Sequence, residues 1–346
     1  MKASFRRQKG RGRSYRSCLA GLLILCCFLP VHAQQEGNQL TQFMYNTYSY
    51  NPGFAGLSNG ICASVLHRQQ WIGIGKGLGS TAGSTGEAGT TTVEDKSRIT
   101  APNSTIIMAH MPLKAIKGGI GVEVASFNAS LFRNTLVKIG YAYHLQTSFG
   151  VIGMGVRAQL QTVGLDGSFN PRDEGDPVIT NIQESETGIY GDVSVGFYLQ
   201  GNGNYFVGVA ANNLISHKSE KIPYQPSRTF VVHGGYTFSV PNLPKIEFTP
   251  STYLETDFAT FNWSIAMTGT FNKRFWAGLS YRLQDAVSIL GGVNIGNLQI
   301  GLSYDILASK FINSNKMGGA FEVFVRYCFG LEGEKINTEY KNARYL

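Results

Sequence analysis

The side chains of this chain best suited to chemistry are its histidines, acids and cysteines, and their spacing argues against a catalytic centre. His67, His110, His144, His217 and His233 are scattered, and none has an acid and a nucleophile at an interval that nucleophilic catalysis would use. His144 and His233 fall on the polar faces of alternating segments, where a histidine that fills an interior is the simpler reading. Asp173-Glu-Gly-Asp176 gathers carboxylates but lacks the longer acidic pattern of a calcium loop, so it reads as a solvated charge cluster. Gly73-Ile-Gly-Lys-Gly-Leu-Gly79 does not follow the phosphate-loop spacing and opens no helix, which leaves a flexible loop. No Cys/His spacing suits zinc. The expectation is therefore no catalytic residue, no metal and no cofactor.

The charged residues Lys117, Glu123, Arg157, Asp192, Arg282, Asp305 and Arg326 sit at inward positions of such segments and are expected to pair with one another. What must position them follows from composition. Charged residues make up 15% of the chain, against roughly 25% in soluble domains, while there are 42 glycines, 17 tyrosines and 21 phenylalanines. That balance suits a chain with one face in lipid. The formal charge of +8 suggests nucleic-acid binding, but seven of the 30 basic residues precede residue 34 with no acid among them. The remainder is nearly neutral, so a polyanion binder is excluded.

Those leading residues read as a signal peptide, residues 1–33. A basic stretch precedes the apolar run Cys18–Leu29, and Val31-His-Ala33 ends in a cleavage-like site. The run is short of the ~20 residues that a spanning helix needs. Three of the five cysteines leave with it, and Cys62 and Cys328 remain. One bridge is possible, because the first and last strands of a closed barrel are neighbours; unpaired, wall-facing thiols are the reading adopted.

Beyond residue 33 the apolar period is two. In Val137–Leu145 the residues Val137, Ile139, Tyr141, Tyr143 and Leu145 oppose Lys138, Gly140 and His144. Ile116–Val124, Ile152–Leu160 and Leu298–Ile306 follow the same rule, and further segments begin near Cys62, Ser104, Ile189, Tyr205, Phe230, Ile246, Phe261, Phe275, Val287 and Phe321. This predicts about fourteen strands, many near the 9–11 residues that cross a bilayer when tilted. Even-numbered connections are all short, and the long ones (73–103, 164–186, 216–228 and 308–317) are all odd-numbered. A β-sandwich has no reason to sort loops by parity. The expected fold is an all-β, antiparallel transmembrane outer-membrane β-barrel with short periplasmic turns and longer extracellular loops.

One stretch is not a strand. Gln39–Gly56 carries Asn51-Pro-Gly53, a turn, among aromatics that need burial, which a plug or a periplasmic cap under the barrel would supply. Its residues Gln42, Met44, Tyr45 and Asn46, then Asn51, Pro52, Phe54, Ala55 and Gly56, then Arg68, Gln70, Trp71, Ile72 and Gly73, closely resemble the opening signature of the PorP/SprF family of type IX secretion system membrane proteins. Tyr141–His144, Asp176-Pro177, Gly208 to Asn213-Leu214, Gly278–Arg282, Gly301–Asp305 and Tyr327–Phe329 are similar to later family stretches. Gly53 stands where alanine is commoner in the family, the 73–103 insertion is longer, and Gly318-Gly-Ala-Phe departs from the usual start of the last strand.

The resemblance implies a non-enzymatic barrel that supports secretion, gliding motility or surface attachment of cargo through protein contacts. The implied partners are periplasmic and outer-membrane components of that machinery, a secreted cargo or adhesin, and outer-membrane lipid. It implies structural or docking roles for the signature positions Gln42, Met44, Asn46, Asn51, Pro52, Phe54, Ala55, Gly56, Arg68, Gln70, Trp71 and Gly73. The expected organisation is residues 1–33 signal peptide, 34–59 periplasmic or plug segment, 60–329 barrel and 330–346 periplasmic tail. Two other classes compete: a general porin or hydrophobic-solute channel, motivated by the polar inner faces, and a barrel hydrolase, motivated only by the histidines.

Overall fold

The computed structural model describes residues 39–58, 60–72, 101–129, 132–165, 187–216, 225–241, 243–307 and 318–330. The expected signal peptide, most of the long loops with Asp173–Asp176 and His217, Gly73, and the residues after Gly330 lie outside them. Fifteen strand segments form one antiparallel sheet: β1 (Gly60–Gln69), β2 (Asn103–Leu113), β3 (Gly118–Ala129), β4 (Phe132–Thr147), β5 (Gly150–Leu165), β6 (Thr187–Gly201), β7 (Tyr205–Asn212), β8 (Thr229–Tyr236), β9 (Phe238–Val240), β10 (Leu243–Thr256), β11 (Phe261–Phe271), β12 (Phe275–Arg282), β13 (Ala286–Ile295), β14 (Leu298–Leu307) and β15 (Ala320–Gly330). Apart from β8 and β9, which both pair with β10, each pairs with its neighbours in the chain, and β15 pairs with β1, so the sheet closes into a barrel. Among the described residues no helix is long and apolar enough to cross a membrane.

β8 and β9 are halves of one wall strand, which makes fourteen. Their register on β10 is continuous, from Gly235↔Ser251 to Phe238↔Phe248. The ladder breaks between them because Pro250 has no N–H to donate there. Thr237 instead donates its N–H to Asn204 O (2.8 Å) and bonds Thr249 through its hydroxyl (2.9 Å). The two prolines Pro244 and Pro250 also explain why the period is weakest in this strand.

The wall is inside out relative to a soluble domain. Ile139 (62% exposed), Val156 (59%) and Ile189 (64%) face outward, whereas Glu123, Arg157 and Asp305 face inward and are buried. Alternation is strict in β6 and β14, so a one-residue slip would turn every charge toward lipid. Exposed aromatics gather at both rims. Phe149, Tyr236, Phe271, Phe275 and Phe329 ring the short-turn end, and Phe132, Phe230, Phe258, Phe261 and Phe321 the long-loop end. Two such girdles are expected where a barrel meets the two faces of a bilayer.

Three expectations need correction. Lys117 does not face the interior. It ends the turn Lys114–Ile116 in a left-handed conformation (φ 50°) and is exposed, so β3 begins only at Gly118. Cys62 and Cys328 are not free thiols but form a disulfide. Closure of the barrel sets the two residues directly opposite each other in the β1–β15 pair, with Cα atoms 4.1 Å apart. Third, β4 starts at Phe132, five residues before the onset at Val137 read from the sequence, because its alternation continues upward through polar residues.

Removing the bridge should leave the strand order intact, because the β1–β15 ladder remains, but should lower stability. A Cys62→Ser, Cys328→Ser double variant is expected to lose about 2–5 kcal/mol, read as an earlier loss of the heat-resistant folded band in detergent. Equal resistance of the two proteins would show that the bridge adds nothing.

Candidate functional site

Residues 39–58 run inside the barrel rather than beneath it, and the inward charges of the wall converge on them. The segment consists of the 3-10 turn Phe43–Tyr45, the helical turn Thr47–Tyr50 and the 3-10 turn Pro52–Phe54. None of these pieces is long enough to be stable alone, so the wall must hold them.

The upper layer is built on Thr41 and Gln42. Their successive N–H groups donate to the two oxygens of Glu322, at 3.0 and 2.8 Å. The Thr41 hydroxyl donates to Asp305 Oδ1 (2.7 Å) and accepts from Arg68 Nη1 (3.0 Å) and Arg282 Nη2 (3.1 Å). Arg68 pairs with Asp305 (2.6 Å) and Glu322 (3.4 Å), and Arg282 with Asp285 (2.7 Å). Arg68, Asp305 and Glu322 are all buried, so each charge depends on this network for solvation. Below it, Arg326 donates to the Tyr45 carbonyl, and the Tyr45 ring packs between Trp276 and Phe324.

The middle layer grips the helical turn by its free carbonyls. Arg157 Nη1 donates to Tyr48 O (2.7 Å) and Ser49 O (2.9 Å), Lys138 Nζ to Ser49 O (2.9 Å), and Asn212 Nδ2 to Tyr50 O (3.1 Å). Cations at the carbonyl end of a helical turn offset its partial negative charge. Glu123 anchors them, pairing with Lys138 (2.8 Å) and accepting from Ser49 Oγ (3.0 Å). The Tyr48 hydroxyl donates to Gly121 O (2.7 Å) while Arg157 lies over its ring.

The lower layer is the Asn51-Pro-Gly turn. Gly53 N–H donates to Asn51 Oδ1 (2.9 Å), which fixes the amide so that Nδ2 points at Phe197 O (3.0 Å) and His233 Nε2 (3.0 Å). His233 must therefore accept at Nε2 and carry its proton on Nδ1. Phe54 makes edge contacts with His110 and Tyr198, and His144 Nε2 donates to Ala55 O (2.8 Å). Gly53 is pressed against the wall: a methyl there would lie 2.8 Å from Gly153 O and 2.9 Å from Gly196 O. That contact is a geometric reason for glycine where alanine is commoner. Gly56 needs its positive φ (72°) to turn the chain toward β1.

The inward charges thus divide. Arg157, Arg326, Lys138 and Glu322 hold the segment's main chain, while Arg282 also pairs with Asp305 (3.8 Å) as expected. Asp305, Arg68 and Glu123 pair within the wall and bond the Thr41 and Ser49 hydroxyls. Asp192 differs again, accepting from the N–H groups of Ile215 and Ser216 at 2.9 Å each. Of the signature residues, Gln42, Met44, Asn46, Asn51, Pro52, Phe54, Ala55, Gly56 and Arg68 are buried. Gln70 and Trp71 stand partly exposed where β1 ends on the long-loop side, and Trp71 turns the chain with φ 48°. Sequence reasoning missed Thr41, Glu322, Lys138 and Asn212 as grips. It also missed the glycines Gly121, Gly153, Gly155, Gly196 and Gly208, whose inward positions were the signal that something backs onto the wall. Of the histidines, His67 lies on the outer face of β1 and bonds Thr105 (2.9 Å), and no group of metal-ligating side chains occurs among the described residues.

A family model described as "Type IX secretion system membrane protein PorP/SprF" matches residues 32–327 of the chain. No curated protein matches it. Among solved structures the chain is similar to the outer-membrane protein Omp33 of Acinetobacter baumannii, at 8% identity and TM-score 0.44, covering 79% of this chain and 100% of that one. It is also similar to the toluene transporter TbuX of Ralstonia pickettii (12%, TM-score 0.43, 80% and 91% covered). A third is a mutant of TodX, a monoaromatic hydrocarbon channel (10%, TM-score 0.48, 81% and 93% covered).

Two substitutions should separate grip from packing. Arg68→Ala leaves Asp305 and Glu322 without their main cation and is expected to cost about 3–5 kcal/mol. Gly53→Ala should lift the turn off the wall with a smaller loss, and should raise single-channel conductance in planar bilayers above that of the parent. A Gly53→Ala barrel as tight and as silent as the parent would contradict the geometry.

Proposed function

Since the chain belongs to the PorP/SprF family of type IX secretion system membrane proteins, we propose that it is a non-enzymatic component of that system in the outer membrane, acting through protein contacts. On this reading it supports secretion or surface attachment of cargo proteins, with periplasmic and outer-membrane components of the machinery and a secreted cargo or adhesin as partners. The observation that carries the reading is the occupied lumen. Segment 39–58 bonds or packs against β1, β3, β4, β5, β6, β7, β8, β10, β12, β14 and β15, and so meets the wall on every side. A porin needs a polar path left open, whereas here the polar wall is consumed by the protein's own backbone. This favours a partner-binding body over a solute channel.

Docking through the signature now has a narrower meaning. Asn51 and Pro52 are buried, so they serve partners by holding the plug in place, while among the described signature residues Gln70, Trp71 and Ile72 are exposed enough to touch one directly.

Deletion of the gene is expected to abolish or reduce release or display of type IX cargo, measured by comparing culture medium and cell surface with the parent strain. Unchanged cargo together with altered uptake of small solutes would overturn the proposal in favour of the channel. In reconstituted liposomes the purified protein is expected to leave sugar permeability at the level of empty vesicles.

A further inference from the structure

We infer that the plug segment threads the barrel once, with Gln39 at the extracellular mouth and Gly56 at the periplasmic one. Successive residues of the segment meet the wall at heights that run from one end of the barrel to the other. Gln39 lines the mouth at the long-loop end, beside Thr229, Asp257, Thr260 and Leu283. Thr41 is level with Arg68, Asp305 and Glu322, each within three residues of the long-loop end of its strand. Tyr45 meets Arg326 near the middle of β15. Tyr48 reaches Gly121, the fourth residue of β3 counted from its short-turn end. Gly53 lies against Gly153, the fourth residue of β5 from the same end. Gly56 lies against Gly119, the second residue of β3, and β1 then begins at Gly60 on that side. From Gln39 to Gly56 the contacts thus pass from the long-loop end of the barrel to its short-turn end.

The direction follows from charge placement as well as from contacts. The main-chain N–H groups at the start of the segment meet carboxylate Glu322, and the carbonyls of its helical turn meet cations Arg157 and Lys138. Reversing the segment would set N–H groups against cations and carbonyls against a carboxylate. Long loops mark the extracellular side and short turns the periplasmic side, so the residue that begins the plug lies at the outer mouth and the residue that ends it at the periplasmic one. Gly330, the last residue of β15, lies at the periplasmic end beside Gly60. The start of the plug at Gln39 and the end of the wall at Gly330 therefore belong to opposite faces of the membrane.

Cysteine labelling in intact cells tests this, with the native bridge keeping Cys62 and Cys328 out of the reaction. Gln39→Cys is expected to react with a membrane-impermeant maleimide in intact cells. Lys273→Cys, in the short turn between β11 and β12, is expected to react only after the outer membrane is permeabilised. A short epitope inserted directly before Gln39 gives a second reading, with a heat-resistant band confirming a folded barrel, and should bind antibody on intact cells. Gln39→Cys and the epitope both silent in intact cells but reactive after permeabilisation would overturn the inference. Both reactive in intact cells while Lys273→Cys stays silent would establish it.

Discussion

The rest of the structure depends on one constraint: a polar wall that faces away from lipid must find partners for every charge it buries. In a wide barrel water can supply them. Here opposite charges supply some of the partners and main-chain groups of the plug supply the rest, in a directional match. Glu322 takes two consecutive N–H groups, while Arg157, Lys138, Asn212 and Arg326 take carbonyls. A short segment with no stable helix of its own gains its conformation from this arrangement, and the wall gains the neutralisation it lacks. Removal of the plug leaves the wall with buried, poorly compensated charge, and removal of the wall leaves the plug's main-chain groups without partners. Plug and barrel are therefore one folding unit.

That interdependence gives the glycines a shared reason. A polypeptide can approach a sheet at backbone distance only where the sheet has no side chains, and Gly121, Gly153, Gly155, Gly196 and Gly208 clear such a track. The aromatic residues of the plug then fill what the track leaves. Tyr45, Phe43 and Tyr50 join Leu66, Ile106, Val231 and Phe324 in one apolar cluster, and Tyr48 and Phe54 join Met108, Tyr198 and Phe206 in another. The barrel thus has an apolar core of the kind found in soluble domains, enclosed by a wall whose outer face is apolar too.

The wall was largely legible in the sequence, because a period of two with one face in lipid is a strong and redundant signal. The fourteen onsets fall within a few residues of the observed strands, and Val137 misses most because the start of β4 carries Arg133 and Asn134. Loop parity gave the sidedness. The site was half legible. Alternation showed that Glu123, Arg157, Asp305 and Arg326 turn inward, but a strand pattern carries no information about what lies across a lumen. Pairing among themselves was the natural expectation; it holds for Arg282 with Asp305, while the main-chain partners of Arg157 and Arg326 come from a segment far away in sequence. The disulfide was missed for a related reason: residues 62 and 328 are neighbours only once closure fixes the register of the last strand on the first.

That bond has a topological consequence. Cys62 and Cys328 turn the wall into a covalent ring, and the twenty-odd residues before Cys62 pass through the ring they begin from, as the tail of a lasso does. The knot is held by chemistry at the noose and by hydrogen bonds along the tail. Such an object cannot release its tail sideways at the seam where its two ends meet. The leading segment can leave only along the axis, drawn down toward the periplasm. For the same reason, a leading segment with a folded domain attached could not be fed into a finished noose. It has to be enclosed as the sheet curls around it.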